Sequence, residues 1–215
     1  MNYQILLYAH ITFGMISLFS GAVAGFSKKG GKIHVKSGKI FGVCMLLAAV
    51  TAIALSLIHP SSFLLAIGLF TVYLITSGWV WVWKKPQKQK LKTSRYAAIF
   101  GIAIAAFMIY QAYSTSRGIL IVLVVFGAIL LAFSLIDLFR KANPGDNIRV
   151  HAGRMGGAYI ASFTAFAVTN FNGMVPDLVL WIGPTPIGSI LIALGIRKYY
   201  KNQGLRKRKA KSTLN

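Results

Sequence analysis

Long apolar segments separated by short basic segments dominate the chain. An α-helix needs roughly 20 residues to cross the hydrocarbon of a bilayer. Seven segments approach that length: Tyr3–Phe26, Ile40–Ile58, Ser62–Trp83, Tyr96–Tyr113, Ile119–Phe139, Met155–Phe171 and Leu178–Ile196. The pattern predicts an all-α, polytopic membrane protein with seven transmembrane helices over residues 1–198, followed by a polybasic tail over residues 199–215.

The composition agrees with a membrane protein rather than with a basic soluble domain. Of the 215 residues, 56% are hydrophobic and only 13% are charged, whereas soluble domains carry about 25% charged residues. A formal net charge of +21 would by itself suggest nucleic-acid binding. The apolar content excludes a water-soluble basic domain, and no nucleic-acid partner is expected.

The distribution of the basic residues predicts the orientation in the membrane. If seven spans alternate in direction, every one of the 24 lysines and arginines except Arg117 falls on one side. The positive-inside rule then places the amino terminus outside and the carboxyl-terminal tail in the cytoplasm. We therefore expect a multi-pass protein of the bacterial cytoplasmic (inner) membrane, with its tail attracted to anionic lipid head groups.

The first apolar segment is predicted to be a retained span. Ala22-Val23-Ala24 resembles a signal-peptide cleavage site. However, the residues before the segment lack the basic n-region of a signal peptide, and the positive charge follows the apolar run instead.

Two stretches of the chain resemble each other. One begins at Phe13 and the other at Phe126, and each has Phe-Gly in a span, a basic loop, a histidine and then a glycine next to a basic residue. This suggests a 3+1+3 arrangement of parallel repeats, which some transporters have. The alternative is that any two helix–basic loop–helix units look alike.

Small residues four positions apart predict close helix packing in lipid. They occur as Ser17, Gly21 and Gly25; as Gly38 and Gly42; and as Gly153, Gly157 and Ala161. Aromatic residues near the ends of spans, such as Trp79, Trp81 and Trp83, are typical of interfacial anchors.

The sequence offers few groups for chemistry. It has no glutamate, its acids are Asp137, Asp146 and Asp177, and its one cysteine is Cys44. Glutamate-based acid–base catalysis, an intrachain disulfide and a cysteine-cluster metal site are therefore excluded. The four histidines are the other candidate ligands or proton carriers.

His10 lies seven residues inside the first span, roughly 10 Å below the outer interface at 1.5 Å per residue. An ionisable group at that depth needs a polar partner or a water-filled cavity. Thr51, Thr164 and Thr185 fall at similar depths, and Thr185 lies in the Gly183–Pro186 interruption. We predict a substrate-binding cavity lined by His10, Thr51, Thr164 and Thr185; the alternative is a neutral histidine bonded to a neighbouring helix.

His34, His151 and Asp137 form a second candidate group, on the cytoplasmic side. The two histidines occupy corresponding places in the two similar stretches. They and Asp137 could bind a metal or relay protons. Alternatively, Asp137 has a structural role and pairs with Arg140 or with Arg154.

Other cofactors receive little support. His59 lies at the outer edge of its span, so it does not match the depth of His10 for bis-histidine haem ligation. The last span has no internal lysine that could form a Schiff base with retinal. The cofactor, if there is one, and the oligomeric state stay open.

The chain resembles a family of bacterial multi-pass membrane proteins defined by domain of unknown function 2306. The resemblance rests on the stretch from His151 to Asn170, on His10 followed by Gly14, and on His34 followed by Gly38-Lys39. It departs from the family at Val35, where members carry a basic residue after the histidine. It implies a membrane helical fold in the bacterial inner membrane and no particular activity.

The leading functional prediction is transport or binding of a small, anionic or amphipathic molecule at an intramembrane cavity around His10. The first alternative is a membrane-embedded metal- or redox-dependent enzyme that uses His34 and His151. The second is a structural or assembly role based on glycine-rich helix contacts. The short list of chemical groups favours a protein that is not an enzyme.

Overall fold

A computed structural model describes residues 2–113, 117–141, 143 and 147–212 of the chain. The side chains of residues 117–119 and 205–212 are outside this description. Asp146, the side chain of Arg117 and the last basic residues of the tail therefore lie outside the described part. The chain is all-α, as predicted.

The helices follow one another with short connections. In chain order they are α1 Tyr3–Phe26, α2 Lys32–Ile58, α3 Ser62–Val80, α4 Gln87–Ala112, α5 Arg117–Phe139, α6 Asn147–Phe171, α7 Asp177–Ile182 and α8 Pro184–Ser212. Asn2 caps α1 and Ser61 caps α3, since each side chain accepts a backbone N–H of the first turn. α8 continues into the predicted tail rather than ending before it.

Six helical segments are long and apolar enough to cross a membrane, which supports a multi-pass membrane protein. They correspond to α1 to α5 and to α7 with α8 taken together, as Asp177–Gly204. The sixth predicted span, Met155–Phe171, lies within α6. At 25 residues α6 has sufficient length, but its hydropathy is below that of the other six because glycines, Arg154 and polar residues interrupt the apolar ones.

Helix α3 forms the centre of the bundle. It packs against α2, α4, α5 and α6, and Tyr73, Leu74 and Ile75 are almost completely buried in it. Large apolar side chains cover the outside, for example Phe19, which is 70% exposed. Several polar side chains lie inside. This distribution is typical of a protein whose surroundings are lipid.

Side-chain contacts show which helix ends lie together. His34 bonds to Ala24 near the junction of α1 and α2, and Gln87 bonds to Asn147 at the starts of α4 and α6, at 3.2 Å. His151 of α6 bonds to Gly78 near the end of α3. We call this the basic end of the bundle: α1, α3 and α5 finish there, and α2, α4 and α6 begin there.

The predicted small-residue contacts are partly confirmed. A Cβ on Gly21 would lie 2.6 Å from the ring of Tyr159, and one on Gly42 would lie 2.3 Å from the ring of Trp79. These glycines allow close approach of the helices. The prediction was wrong at Gly25 and Gly153, where a Cβ would meet nothing within 4 Å.

A glycine pair that the four-residue pattern missed joins α6 to α8. A Cβ on Gly156 would lie 2.4 Å from Ile192, and one on Gly188 would lie 2.4 Å from Ile160. Because the two glycines lie on different helices, no spacing within one helix reveals them.

The interruption at Gly183 is smaller than the sequence suggested. α7 ends at Ile182, α8 begins at Pro184, and Gly183 has ordinary right-handed helical dihedrals. Its N–H donates to the carbonyl of Val179 at 2.8 Å. The helical path therefore continues almost unbroken through Gly183, because proline at the first position of a helix needs no N–H partner.

The helices of the two similar stretches have different principal neighbours. α1 packs mainly on α2, whereas α5 packs mainly on α4 and α6 packs on α3 and α8. The repeat thus has no direct support from the packing, and it stays a prediction.

Candidate functional site

A buried ionic cluster lies at the basic end of the bundle, between α3, α5 and α6. Asp137 of α5 is completely buried, and Arg154 of α6 is 4% exposed. Arg154 Nη2 donates to Asp137 Oδ2 at 2.8 Å, and Tyr73 Oη donates to the same oxygen at 3.1 Å. Arg140 approaches Oδ1 at 3.4 Å. Both pairings that the sequence offered for Asp137 are therefore present together.

Two glycines make room for this cluster. A Cβ on Gly78 would lie 2.9 Å from the Cβ of Arg154, and one on Gly101 would lie 2.3 Å from Ser134 Oγ and 2.7 Å from the ring of Tyr73. α6 therefore approaches α3 closely where Arg154 enters the bundle. α4 approaches α5 closely beside the Tyr73 ring.

The guanidinium of Arg154 is only partly satisfied. Besides Asp137, it donates to the carbonyl of Phe133 at 3.1 Å, and it lies 3.8 Å from the centroid of the Phe133 ring. Its Nε is buried without a hydrogen-bond partner. A buried donor of this kind is costly unless water or a ligand satisfies it, so Arg154 has capacity for one further acceptor.

A second part of the cluster contains Lys90 and Trp81. Lys90, at 8% exposure, donates through Nζ to the carbonyl of Trp81 at 3.2 Å, and Arg140 lies 5.2 Å over the Trp81 ring. The Trp81 indole N–H has no partner, nor does the buried hydroxyl of Ser94, one turn beyond Lys90 on α4. Among the described residues, the cluster therefore combines several cations with a single carboxylate.

Three members of this cluster were not predicted from the sequence. Tyr73 lay unmarked in an apolar segment, although a tyrosine deep in a span needs a partner for its hydroxyl. Lys90 was indistinguishable from its neighbours in a basic loop, yet it lies in the first turns of α4. Trp81 was expected to be an interfacial anchor, but it is 1% exposed, so that expectation was wrong.

The structure brings His10 and Thr51 together at the other end of α1 and α2. His10 Nδ1 donates to the carbonyl of Ala48 at 2.9 Å, and Thr51 Oγ1 lies 3.4 Å from the same nitrogen. A carbonyl can only accept, so Nδ1 carries a proton. His10 therefore links α1 to α2, which is the structural alternative considered for it.

The other two residues of the predicted cavity lie on α6 and α8, which pack against each other. Thr164 is buried, and its hydroxyl has no partner. Thr185 is half-buried in the first turn of α8. One surface groove lies at the start of α2 and another lies in the apolar region around Trp181, and none of the four predicted residues lines either of them. The shared cavity of His10, Thr51, Thr164 and Thr185 stays a prediction.

His34 and His151 lie near each other at the basic end. His34 Nδ1 donates to the carbonyl of Ala24 at 2.9 Å, and His151 Nδ1 donates to that of Gly78 at 3.0 Å. The two rings are close enough to interact electrostatically. Asp137, in contrast, is occupied by arginine and tyrosine. Among the described residues, no three His, Cys, Asp or Glu side chains are grouped to hold a metal ion, so the three-residue metal site gains no support.

Comparison with known proteins identifies no relative. No family model matches the chain, no curated protein matches it, and no solved structure matches its fold. The resemblance to domain of unknown function 2306 thus stays an expectation from the sequence.

Proposed function

We propose that the protein is a seven-span transporter or binding protein for a small anionic molecule, which Arg154 recognises at the basic end of the bundle. It would lie in the bacterial cytoplasmic membrane with its amino terminus outside and its basic end inside. The partition of lysines and arginines supports this orientation. The resemblance to domain of unknown function 2306 agrees with the architecture and adds no activity.

The position of α6 supports a seventh span. α6 packs against α1, α3, α7 and α8, and its buried residues recur every three or four positions along one face: Val150, Arg154, Ala158, Ala161, Thr164 and Ala167. A helix surrounded by other helices is shielded from lipid, so it can carry glycines and polar residues and still cross the membrane.

The single observation that carries the proposed function is the environment of Arg154. Burial of an ion pair is costly and is poor evidence for a stabilising role, whereas ionisable groups inside membrane proteins commonly mark substrate pathways. Arg154 retains an unpartnered N–H, and Lys90 and Arg140 lie in the same cluster as one carboxylate. Such a site favours a carboxylate or phosphate that would share Arg154 with Asp137.

The residues of the cavity predicted from the sequence lie away from the basic end. His10, Thr51 and Thr164 lie in that half of α1, α2 and α6. Thr185 is on the neighbouring α8. We propose that these residues contact the anion on its way to Arg154.

Uptake by proteoliposomes tests the function. Wild-type protein and Arg154→Gln would be compared for uptake of labelled acetate, succinate, phosphate and sulfate, with Arg95→Gln as the control because Arg95 is exposed on α4. Loss of a charged hydrogen bond is expected to lower uptake about 10- to 100-fold in Arg154→Gln, with Arg95→Gln near wild type. Equal uptake by both variants, or uptake no greater than that of empty vesicles for every anion, would contradict the proposal.

A second candidate, a metal- or redox-dependent enzyme, is favoured by one observation. Both His34 and His151 use Nδ1 to bond a backbone carbonyl, which leaves Nε2 as the metal-binding nitrogen, as in many histidine metal sites. Titration of the purified protein with Cu²⁺ or Zn²⁺ would show one strong site that His34→Ala and His151→Ala each abolish. His59→Ala, a change at the outer end, is the control; unchanged binding in the first two variants would exclude this candidate.

A further inference from the structure

A groove of about 420 Å³ at the basic end is lined by lysines of α2. Its lining residues are Gly30, Lys32, Val35, Lys36 and Lys39. Gly30 adopts the left-handed conformation, with φ of 75°, and turns the chain from α1 into α2. No carboxylate lies among the lining residues, so three lysines border one groove that holds no acidic side chain.

The packing of α2 on α1 leaves this lysine face free. His34 bonds to Ala24 of α1 and fixes which side of α2 faces its neighbour. At about 100° per residue, Lys32, Lys36 and Lys39 project roughly 140–200° around the helix from His34. All three are exposed. Lys29 is not part of the group, because its ammonium donates to the last carbonyls of α1 at Ala24 and Gly25.

Apolar side chains border the lysines. Ile33 is 65% exposed, Val35 46% and Ile40 40%. The groove also lies at the end of two membrane-length helices. Apolar and cationic groups side by side at this level suit a lipid, whose phosphate would meet the lysines while its acyl chains lie along the apolar flank.

We propose that the groove of Lys32, Lys36 and Lys39 binds the phosphate head group of an anionic membrane lipid. The site lies on α2 and is separate from Arg154, so it does not depend on the proposed transport function. Three lysines around one groove favour a dianionic phosphomonoester, as in phosphatidic acid, over a singly charged phosphodiester. Inorganic phosphate shares this chemistry but lacks the acyl chains that the apolar flank would contact.

Native mass spectrometry of the full-length protein, titrated with phosphatidic acid in detergent, tests the site. Lys32→Gln/Lys36→Gln/Lys39→Gln would be compared with Lys84→Gln/Lys85→Gln/Lys88→Gln, which removes the same charge from exposed lysines of the next basic segment. At about fivefold per lysine, the groove variant should bind on the order of 100-fold more weakly, whereas the control should change little. Equal weakening in both variants, or none in the groove variant, would overturn the proposal.

Two further experiments complete the test. One separates the effect of lost charge from that of misfolding, and the other separates binding of the lipid from binding of free phosphate. Lys32→Arg/Lys36→Arg/Lys39→Arg keeps the charge and should bind within about threefold of wild type; loss equal to that of the glutamine variant would overturn the proposal. Inorganic phosphate at matched ionic strength should fail to displace the lipid. Displacement by phosphate at the concentration at which the lipid itself half-saturates the protein would show that the groove binds free phosphate instead.

Discussion

Asp137 and Arg154 form a close ion pair that the surrounding helices exclude from water. Removing one member of such a pair leaves an uncompensated charge. We therefore expect Arg154→Met to lower the free energy of unfolding by about 3–5 kcal/mol, measured by denaturant or thermal unfolding in detergent.

The double variant Asp137→Leu/Arg154→Met is the matched control for this effect. Replacement of both charges by apolar side chains often costs little, so the double variant should recover at least half of the lost stability. A double variant less stable than Arg154→Met would show that the cluster is stabilised by something other than this pair.

A substitution of His10 tests a second single-residue contact, for which the expected loss of stability is smaller. The bond of His10 to the carbonyl of Ala48 joins α1 to α2, and side-chain hydrogen bonds between membrane helices average about 0.6 kcal/mol. His10→Leu should therefore lower stability by less than about 1 kcal/mol in the same unfolding assay. A loss above about 3 kcal/mol would mean that His10 is buried with a charge or holds more than this bond.

The acidic residue of the cluster and its two arginine partners were predicted from the sequence, but Tyr73 and Lys90 were not. The difference has a physical reason. Asp137 was conspicuous because acids are rare in this chain, and Arg140, three residues on, and Arg154, just before the next predicted span, were the partners predicted for it. Tyr73 and Lys90 reach the cluster from α3 and α4 only through tertiary packing. No local pattern distinguishes Lys90 from the exposed lysines beside it.

Two glycines of α2 give a matched test of helix packing. A Cβ on Gly42 would lie 2.3 Å from the rigid ring of Trp79, whereas one on Gly38 would meet only Ala24, at 4.0 Å. Gly42→Ala should therefore cost about 1–3 kcal/mol through overpacking. Gly38→Ala should be neutral or stabilise by up to about 1 kcal/mol because alanine favours helix.

Thermal unfolding of the two variants in one detergent measures this difference. Equal stabilities for Gly42→Ala and Gly38→Ala would contradict the close approach of α2 and α3 at Gly42.

The low hydropathy of helix α6 reflects its surroundings in the bundle. Its length and one buried face fit a span, but glycines, Arg154 and polar residues lower its hydropathy because other helices, rather than lipid, surround much of it. The apolar segments of α1 to α5 were evident from the sequence since their outer faces contact lipid. The exact ends of the helices were not, because α2, α4 and α6 begin with basic or polar residues that resemble loops.

At the scale of the whole molecule, the net charge of +21 and the apolar exterior both fit a bundle of membrane-spanning helices with its basic segments at one end. Apolar side chains cover the outside of the bundle, and the basic segments between helices gather at one end. This arrangement could be predicted from the sequence because the patterns of charge and hydropathy extend along the whole chain. The sequence was not sufficient for the interior contacts, which depend on tertiary packing.

The most direct test of this account is to determine on which side of the membrane the carboxyl end of α6 and the two ends of the chain lie. Single cysteines would replace Asn2, Asn172 and Asn202, all exposed, as Asn2→Cys, Asn172→Cys and Asn202→Cys in a Cys44→Ser background. An impermeant maleimide would then be added to bacterial cells with a permeabilised outer membrane. The account predicts labelling at positions 2 and 172 and protection at position 202 until the inner membrane is broken. Protection at position 172, or labelling at position 202 in intact cells, would contradict a seven-span protein in which α6 carries Arg154 to the cytoplasmic end.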